Sequence, residues 1–261
     1  MKTAEADGEF ATYPSLRNRV VLISGGASGI GEKIVEAFAR QHARTVFLDI
    51  EDEAAERVVR RLQTEGFVPP IYMRCDVTDM NALRQCAERA AESFGTIDVL
   101  VNNAGNDTRH TIEEVTPEYW DKAISVNLKH QFFLTQAVIP FMKNAGRGSI
   151  VNMSSISWVI PSVGLPVYIA SKAAIAGLTR TLAHELGPFN IRVNCVMPGA
   201  IETERQKRLW YTEAYLEKVL SSQALKRMIL PEEVARLVLF LAADDSAAIT
   251  NQCHIIDGGW V

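Results

Sequence analysis

Two polar side chains stand four residues apart in the segment Tyr168-Ile-Ala-Ser-Lys172. On a helix this spacing places both side chains on one face, one turn apart. A phenol with a pKa of about 10 is a poor base at neutral pH, but a neighbouring ammonium favours its ionised form. Ser155 lies thirteen residues upstream of Tyr168, at the end of a predicted strand. The pair predicts a tyrosine that can exchange a proton; a chance surface pair is the alternative.

A glycine-rich segment runs from Ser24 to Gly31, after an apolar run and directly before a helical pattern. Glycines permit a tight turn and let backbone amides approach a pyrophosphate at the positive end of a helix. The spacing is GxxxGxG, which predicts a dinucleotide-binding loop; a glycine-rich turn without a ligand is the alternative. The residues predicted to contact the cofactor here are Gly25, Ser28, Gly29, Ile30 and Gly31.

An acidic residue, Asp49, ends the second predicted strand. A carboxylate at this place can accept both hydroxyls of the adenosine ribose, and it repels a 2′-phosphate. Ser28 and Ile50 occupy the flanking positions where an arginine or lysine could bind that phosphate. The pattern predicts NAD rather than NADP; capping of the next helix is the alternative role for Asp49. Asp76 and Val77, at the end of the third strand, are predicted to lie at the adenine.

Short apolar runs alternate with helical patterns from residue 20 to the end of the chain. The predicted strands are 20–24, 45–49, 71–76, 97–102, 149–154, 191–197 and 253–257. Their continuous Val- and Ile-rich runs are typical of strands buried on both faces. The alternation predicts an α/β fold, a single-domain Rossmann-like, doubly wound parallel sheet of about seven strands. We expect an N-terminal tail over 1–18, one catalytic domain over 19–261, and a substrate lid over roughly 200–230.

The composition of the 261 residues, 48% hydrophobic and 22% charged, excludes disordered, collagen-like and coiled-coil proteins. The net charge of −4 gives no basic excess, so neither nucleic acid nor a membrane is an expected partner. The cysteines show no metal-binding spacing, and we expect no metal. Cys75, Cys86, Cys195 and Cys253 are interpreted as small buried residues in a reducing compartment. The first nineteen residues lack the apolar core of a signal peptide, which predicts a soluble, cytoplasmic protein.

From about Arg19 onward the chain resembles the short-chain dehydrogenase/reductase family along nearly its whole length. The motifs that carry the resemblance are Ser24-Gly25 to Gly31, Asn102-Asn103-Ala104-Gly105, Asn127 within Val-Asn-Leu, Ser155, Tyr168 to Lys172, and Pro198-Gly199. Ser24 stands where threonine is more frequent in the family, and it keeps the hydroxyl.

The resemblance implies a role for each catalytic side chain. Tyr168 would be the general base in oxidation, and Ser155 would hold the reacting oxygen. Lys172 would lower the pKa of the tyrosine and bind the nicotinamide ribose, and Asn127 would position a water molecule.

The resemblance also implies an NAD site and a homotetramer. The further residues it assigns to NAD are Asn103, Ala104, Gly105, Tyr168, Lys172, Pro198, Gly199, Ile201 and Thr203. Thr203 could instead cap a helix of the lid, and the sequence does not decide between the two roles.

Substrate choice is expected from three segments, which follow Gly105, follow Ser155 and form the lid. The predicted substrate-binding residues are Asn106, Asp107, His110, Ser155, Ser157, Trp158, Tyr168, Gln206 and Trp210. A polyol requires many hydrogen bonds and a flat apolar surface, and this set offers both; solvated loops are the alternative. The amino-acid sequence of these segments resembles that of the NAD-dependent sugar 1-dehydrogenases of the family (aldose, D-xylose-type). This resemblance implies oxidation of an aldose at C1 to the aldonolactone.

Other functions stay open at this point. A family member could act on another secondary alcohol or ketone, such as a 3-oxoacyl thioester, a steroid or a small carbonyl compound. NADP preference would favour an acyl reductase, and Asp49 argues against it. A protein that only senses NAD would be free to lose Tyr168, Lys172 or Ser155, and all three are present. A scaffold whose role is assembly is a third possibility.

Overall fold

A computed structural model describes residues 10–261 of the chain, and in that range strands and helices alternate. The strands are β1 (Val20–Ser24), β2 (Arg44–Asp49), β3 (Ile71–Arg74), β4 (Val99–Asn102), β5 (Gly148–Met153), β6 (Ile191–Pro198) and β7 (Cys253–Ile256). The α-helices are α1 (Gly29–Arg40), α2 (Asp52–Thr64), α3 (Met80–Phe94), α4 (Pro117–Ile124), α5 (His130–Ala145), α6 (Pro166–Leu186), α7 (Glu204–Trp210), α8 (Glu213–Ser222) and α9 (Pro231–Ala242). A π-helical turn, Ser125–Lys129, joins α4 to α5.

The strands form one parallel sheet in the order β3-β2-β1-β4-β5-β6-β7. The predicted α/β class and seven-strand sheet are therefore confirmed. After β3 the chain returns to the centre of the sheet and places β4 on the other side of β1. Such a reversal opens a crevice at the carboxyl ends of the two central strands.

Alternate side chains of β1 pack into two different layers, as the strand geometry requires. Val21 and Ile23 contact the cluster formed with α1 and α9, in which Phe38 is fully buried. Val20 and Leu22 belong to the cluster on the other face, with α3, α5 and α6. The fixed sheet between these layers holds the strand ends, and the loops on them, in place.

Burial on both faces was expected for every strand, and this expectation is wrong for β3 and β7. Ile71 in β3 and Ile255 in β7 are both exposed. Each of these strands is hydrogen-bonded to a neighbour along one side only, because they are the two edges of the sheet. For the same reason Cys253, on β7, is exposed, whereas Cys75, Cys86 and Cys195 are buried as expected.

Part of the expected N-terminal tail packs against the domain. Residues 1–9 of that tail lie outside the described residues. Leu16 is 1% exposed and belongs to the α1–α9 cluster. The backbone N–H of Tyr13 donates to Gln41 Oε1 over 2.7 Å. The packed part of the chain thus begins ahead of residue 19.

The region expected to be a lid contains α7 and α8. Its two ends meet in a parallel bridge between Ile201 and Ile229, where Glu202 N donates to the Ile229 carbonyl over 2.8 Å. The segment therefore leaves and rejoins the domain at one place, as an excursion over the carboxyl edge of the sheet. Within residues 10–261, none of the helices has the length and apolar character needed to cross a bilayer.

Candidate active site

A cavity of about 970 Å³ lies at the carboxyl edge of the sheet, beside the reversal between β1 and β4. Every residue that the sequence predicts for the cofactor lines this cavity, from the glycine-rich segment to Thr203. Ser155, Tyr168 and Lys172 line it as well. The topology thus brings residues from six separate strand ends and the lid to one place.

The glycine-rich segment is folded tightly against the loop after β4. Gly25 has a φ of +72°, and a Cβ on it would lie 2.8 Å from Ala104 Cα. A Cβ on Gly31 would lie 1.7 Å from the Gly25 carbonyl oxygen. Ser28 is the N-cap of α1 and keeps its side chain away from the first turn, so the N–H groups there are available to an anion in the cavity.

Asp49 fixes this loop as well as facing the cavity. Its Oδ2 accepts from Ala27 N over 2.9 Å, and its Oδ1 accepts from Ile50 N over 2.8 Å. The N-cap position of α2 is Glu51, whose side chain makes no capping hydrogen bond, so Asp49 does not stand at the N-cap. Asp49 therefore presents a negative charge at the end of β2 from a position that three backbone N–H groups define, the third being Glu51 N at 3.1 Å.

The predicted catalytic side chains meet at the inner end of the cavity. Tyr168 and Lys172 lie on α6, one turn apart, with Lys172 Nζ 5.4 Å from the centre of the Tyr168 ring. Lys172 is 3% exposed and donates to the Met153 carbonyl over 2.9 Å. Ser155 follows β5, and its Oγ accepts from Ser157 N over 3.1 Å.

Burial, and then the negative charge of Asp107, raise the pKa of Tyr168, while the Ser155 hydroxyl opposes the rise. Burial lowers the pKa of Lys172 to about 8, against the influence of Cys195 and Asp107. At pH 7 Lys172 therefore carries its positive charge, and Tyr168 is a neutral phenol. Additional positive charge in the cavity would favour the phenolate.

Asn127 lies in the π-helical turn and is almost fully buried. Its Oδ1 accepts from Asn106 N over 2.8 Å, and its Nδ2 donates to the Asn106 carbonyl over 3.1 Å. The side chain thus anchors the backbone of the loop after β4 from behind the cavity wall. Nδ2 also donates to the Ala123 carbonyl over 3.0 Å, so the π-helical turn and the loop hold each other.

The lid contacts the loop after β4 through polar groups. Gln206 Nε2 lies 2.5 Å from Asp107 Oδ2, and Arg205 Nε donates to Asp107 Oδ1 over 3.2 Å. The Arg109 guanidinium stacks over the Trp210 ring at 4.7 Å. The lid is therefore closed over this end of the cavity.

Thr203 has both features that the sequence left open. Its Oγ1 accepts from Gln206 N over 3.2 Å and so caps α7. The residue also lines the cavity. A threonine that caps a helix can still present its methyl group and backbone to a bound ligand.

The predicted substrate residues divide into two groups. Those on the cavity wall are Asn106, Asp107, Ser155, Ser157, Tyr168 and Gln206. His110, Trp158 and Trp210 are not on the cavity wall, and Trp158 is exposed. His110 Nδ1 is 2.8 Å from the Tyr119 hydroxyl, and Trp158 Nε1 donates to Ser154 Oγ over 3.2 Å. Periodicity and segment position could not distinguish these two groups, because the difference depends on which way each loop residue points.

Several features of the site had little or no signal in the sequence. The acceptor for Lys172 is the backbone carbonyl of Met153, and because every residue has such a carbonyl, the sequence could not identify it. Tyr215 and Lys218 reach the cavity wall from α8. His130 and Gln131 are fully buried at the start of α5, and their place directly before the apolar run Phe-Phe-Leu was a weak signal in the sequence.

The residues present fit a nicotinamide dinucleotide. A glycine cradle without room for a Cβ, an open helix N-terminus and a carboxylate on the next strand line one half of the cavity. Tyr168 and Lys172 line the other half. Over residues 10–261, the His, Cys, Asp and Glu side chains form no group of three or more suited to a metal ion.

The chain is similar to known proteins over nearly its whole length. A family model described as enoyl-(acyl carrier protein) reductase matches residues 25–261. The chain is 47% identical over 247 residues to a probable galactose dehydrogenase of Rhizobium meliloti strain 1021, covering 95% of this chain and 96% of that protein. It is also 47% identical over 250 residues to a D-xylose 1-dehydrogenase of Caulobacter vibrioides strain NA1000, covering 96% and 98%.

Among solved structures, the chain is similar to a 7α-hydroxysteroid dehydrogenase complexed with NADH and 7-oxo-glycochenodeoxycholic acid. The TM-score is 0.90 and the sequence identity 32%, and the match covers 95% of this chain and 96% of that one. The likeness extends along the whole sheet and its flanking helices rather than to one motif.

Proposed function

Because the chain belongs to the short-chain dehydrogenase/reductase family of oxidoreductases, we propose that it oxidises an aldose at C1 to the aldonolactone with NAD. The observation that carries the sugar assignment is the 47% identity to two proteins named as sugar dehydrogenases, over nearly the full length of each chain. NAD, when bound, supplies the acceptor for the hydride that leaves C1.

The polar wall near Tyr168 supports a polyol as the substrate. Asn106, Asp107 and Gln206 bring amide and carboxylate groups to this wall, where Gln206 and Arg205 already donate to Asp107. The hydroxyl of Ser157 is a buried group without a partner among the described residues, and a ring hydroxyl could pair with it. An apolar substrate such as a sterol or an acyl chain would leave the Ser157 hydroxyl unpaired.

The proton chemistry follows from three side chains. Tyr168 accepts the proton of the C1 hydroxyl, and Ser155 donates a hydrogen bond to the same oxygen. Lys172 keeps its charge below a pH of about 8 and stabilises the phenolate. From the ordinary value of about 10, lowering the pKa of a tyrosine to about 7 requires about 4 kcal/mol of stabilisation, and the burial of Tyr168 adds to this requirement. The Lys172 ammonium and the positive charge of oxidised nicotinamide, when NAD is bound, would both act in this direction.

The choice of NAD over NADP rests on Asp49. Its carboxylate is held at the end of β2 by the backbone, and Glu51, also on the cavity wall, adds a second negative charge. A 2′-phosphate would meet both charges. We therefore assign Asp49 to the adenosine ribose hydroxyls and Asp76 to the adenine.

The assembly and location are also part of the proposal. Phe132 on α5 is 42% exposed, and Ile255 and Val261 at the C-terminus are 44% and 52% exposed. Apolar surface on these elements supports a homotetramer, which light scattering of the purified protein measures directly; a monomer at micromolar concentration contradicts it. A cytoplasmic location is expected, and cell fractionation measures it.

The test of function is formation of NADH by the purified protein with a panel of pentoses, hexoses and 6-deoxy sugars. Steroid and 3-hydroxyacyl alcohols serve as comparators, and Tyr168→Phe serves as the blank. Turnover with one or two aldoses, and trapping of the lactone with hydroxylamine, would support the proposal. Turnover with a comparator but with no sugar would overturn the sugar assignment. Equal kcat/KM with NAD and NADP would overturn the cofactor assignment.

A further inference from the structure

Two consecutive polar side chains, His130 and Gln131, begin α5 directly after the π-helical turn. Both are 0% exposed. Burying an imidazole and a carboxamide costs free energy unless their polar atoms find partners. The partners of His130 Nε2 and Gln131 Nε2 belong to the two halves of the cavity, whereas His130 Nδ1 and Gln131 Oε1 have no hydrogen-bond partner among the described residues.

Gln131 shares an acceptor with the active-site lysine. Its Nε2 donates to the Met153 carbonyl over 3.2 Å, and Lys172 Nζ donates to the same oxygen over 2.9 Å. A carbonyl oxygen has two lone pairs, and here both are used. Each of the two hydrogen bonds to this oxygen therefore weakens the other.

His130 is linked to the loop after β4 through Ser24. The Ser24 Oγ accepts from Asn103 N and Ala104 N, both over 3.1 Å. The hydroxyl then has only its own proton to donate, and His130 Nε2, at 3.4 Å, is the acceptor within reach in the described part of the chain. Nε2 must therefore be unprotonated, with the proton on Nδ1.

The charge state of His130 agrees with this tautomer. Burial, and then the nearby positive charge of Lys172, lower the pKa of His130 to about 3, so the ring is neutral at physiological pH. A neutral ring can accept from Ser24, whereas an imidazolium cannot.

We infer that His130 and Gln131 are positioning residues: His130 fixes the backbone after β4 through Ser24, and Gln131 shares the Met153 carbonyl so that the Lys172 ammonium stays available to Tyr168. The role given to Lys172 rests on the proposed function, whereas the hydrogen bonds of His130 do not.

The groups that face Lys172 define what a pH experiment reports. They are His130 from α5, Cys195 from β6, Asp107 from the loop after β4, and Tyr168 on its own helix. Without the Gln131 donor, the Met153 carbonyl would bind the ammonium more strongly. The pKa of Lys172 should then rise above about 8, and Tyr168 should lose part of its stabilisation as phenolate.

The first experiment uses Gln131→Met, which keeps the length of the side chain but removes the donor. The pKa of Lys172, measured by NMR of protein labelled with ¹⁵N-lysine, should rise. The acidic limb of the kcat profile should move to higher pH, with kcat lower by about fivefold and KM for NAD unchanged. An unchanged pKa of Lys172 and an unchanged pH profile would overturn the role of Gln131, even if the variant were less stable.

The second experiment uses His130→Leu and His130→Gln. Leucine should weaken NAD binding, measured by fluorescence titration, by about fivefold or more, and glutamine, whose Oε1 can accept from Ser24, should restore it to within about twofold. In the unaltered protein, ¹⁵N shifts of the imidazole should identify the Nδ1–H tautomer. The Nε2–H tautomer, or equal NAD affinity of both variants, would overturn the role of His130.

A matched control is Thr135→Val, one turn further along α5. Thr135 is 1% exposed and accepts from Asn102 Nδ2 over 3.1 Å, and its side chain makes no hydrogen bond to Lys172 or Ser24 among the described residues. It should lower the melting temperature without moving the pH profile or the NAD affinity. If Thr135→Val changes the pH profile and the NAD affinity as the other variants do, these effects come from a general loss of structure and the inference fails. NAD binding and both NMR measurements stay informative even if none of the sugars is oxidised.

Discussion

Gln206 Nε2 lies 2.5 Å from Asp107 Oδ2, so the lid helix is bonded directly to the loop that follows β4. The same carboxylate raises the pKa of Tyr168. One residue therefore joins the position of the lid to the proton affinity of the proposed base. A substrate that draws Asp107 toward its hydroxyls would change both together.

Asp107→Asn should move the acidic limb of kcat/KM for sugar oxidation to lower pH. Oxidation needs the phenolate, and removal of a negative charge lowers the pKa of Tyr168, so the phenolate forms at lower pH. The asparagine Oδ1 can still accept from Gln206, whereas the hydrogen bond from Arg205 Nε to the second oxygen is lost. The measurement is kcat/KM from pH 5 to 10. Asp107→Glu keeps the charge and should leave the limb near its original place; movement of the limb to higher pH in Asp107→Asn would contradict the electrostatic role.

Asp49→Asn should reduce the preference for NAD over NADP by about tenfold or more. The asparagine oxygen can still accept from Ile50 N and Glu51 N, whereas the bond from Ala27 N to the second oxygen is lost. The charge that repels a 2′-phosphate is also gone. The measurement is the ratio of kcat/KM with the two cofactors. Glu53→Gln, on exposed α2, removes an acidic charge elsewhere and should leave the ratio unchanged. If both variants change the ratio equally, net charge rather than Asp49 sets the preference.

The local parts of this site could be predicted from the sequence, because each depends on few residues. The spacing of Tyr168 and Lys172 and the run from Gly25 to Gly31 specify their own geometry once a helix follows. The sheet could be predicted for a similar reason, since apolar runs and helical patterns alternate without interruption.

The parts that could not be predicted depend on contacts between distant segments. Asn127 forms hydrogen bonds with the backbone of Asn106, twenty-one residues away. It does so from a π-helical turn, which no sequence pattern predicted. Trp210 was expected at the substrate; it is not on the cavity wall, but its ring stacks with Arg109, which is. Such orientations follow from tertiary packing, which a single sequence does not display.

Gly31→Ala should abolish NAD binding and destabilise the protein. Its Cβ would lie 1.7 Å from the Gly25 carbonyl oxygen, so the phosphate loop could not keep its fold. Binding is measured by fluorescence titration and stability by thermal melting. Gly146→Ala is the control, because a Cβ there meets nothing within 4 Å among the described residues, although its φ is +64°. That variant should cost only about 1 kcal/mol and keep NAD affinity. Normal NAD affinity in Gly31→Ala would contradict the close approach.

Asp98→Ala should lower the free energy of unfolding by about 2–3 kcal/mol without changing kcat/KM. Asp98 is 4% exposed at the amino edge of the sheet, opposite the cavity, where its Oδ2 accepts from Val20 N over 2.9 Å. Its Oδ1 lies 3.4 Å from Arg19 and 3.0 Å from Arg147. Removing it leaves a buried N–H and two guanidinium groups without this partner.

The comparison that isolates this effect is Asp244→Ala, because Arg19 also pairs with Asp244 over 3.2 Å, and the Asp244 side chain is 67% exposed. Exposed ion pairs contribute about 1 kcal/mol at most, since water solvates both partners in either state. Urea denaturation of the two variants should therefore separate them by at least about 1 kcal/mol. Equal losses would mean that the buried N–H of Val20 finds another partner when Asp98 is absent, and that burial of the carboxylate adds nothing to the clamp between β1 and the start of β5.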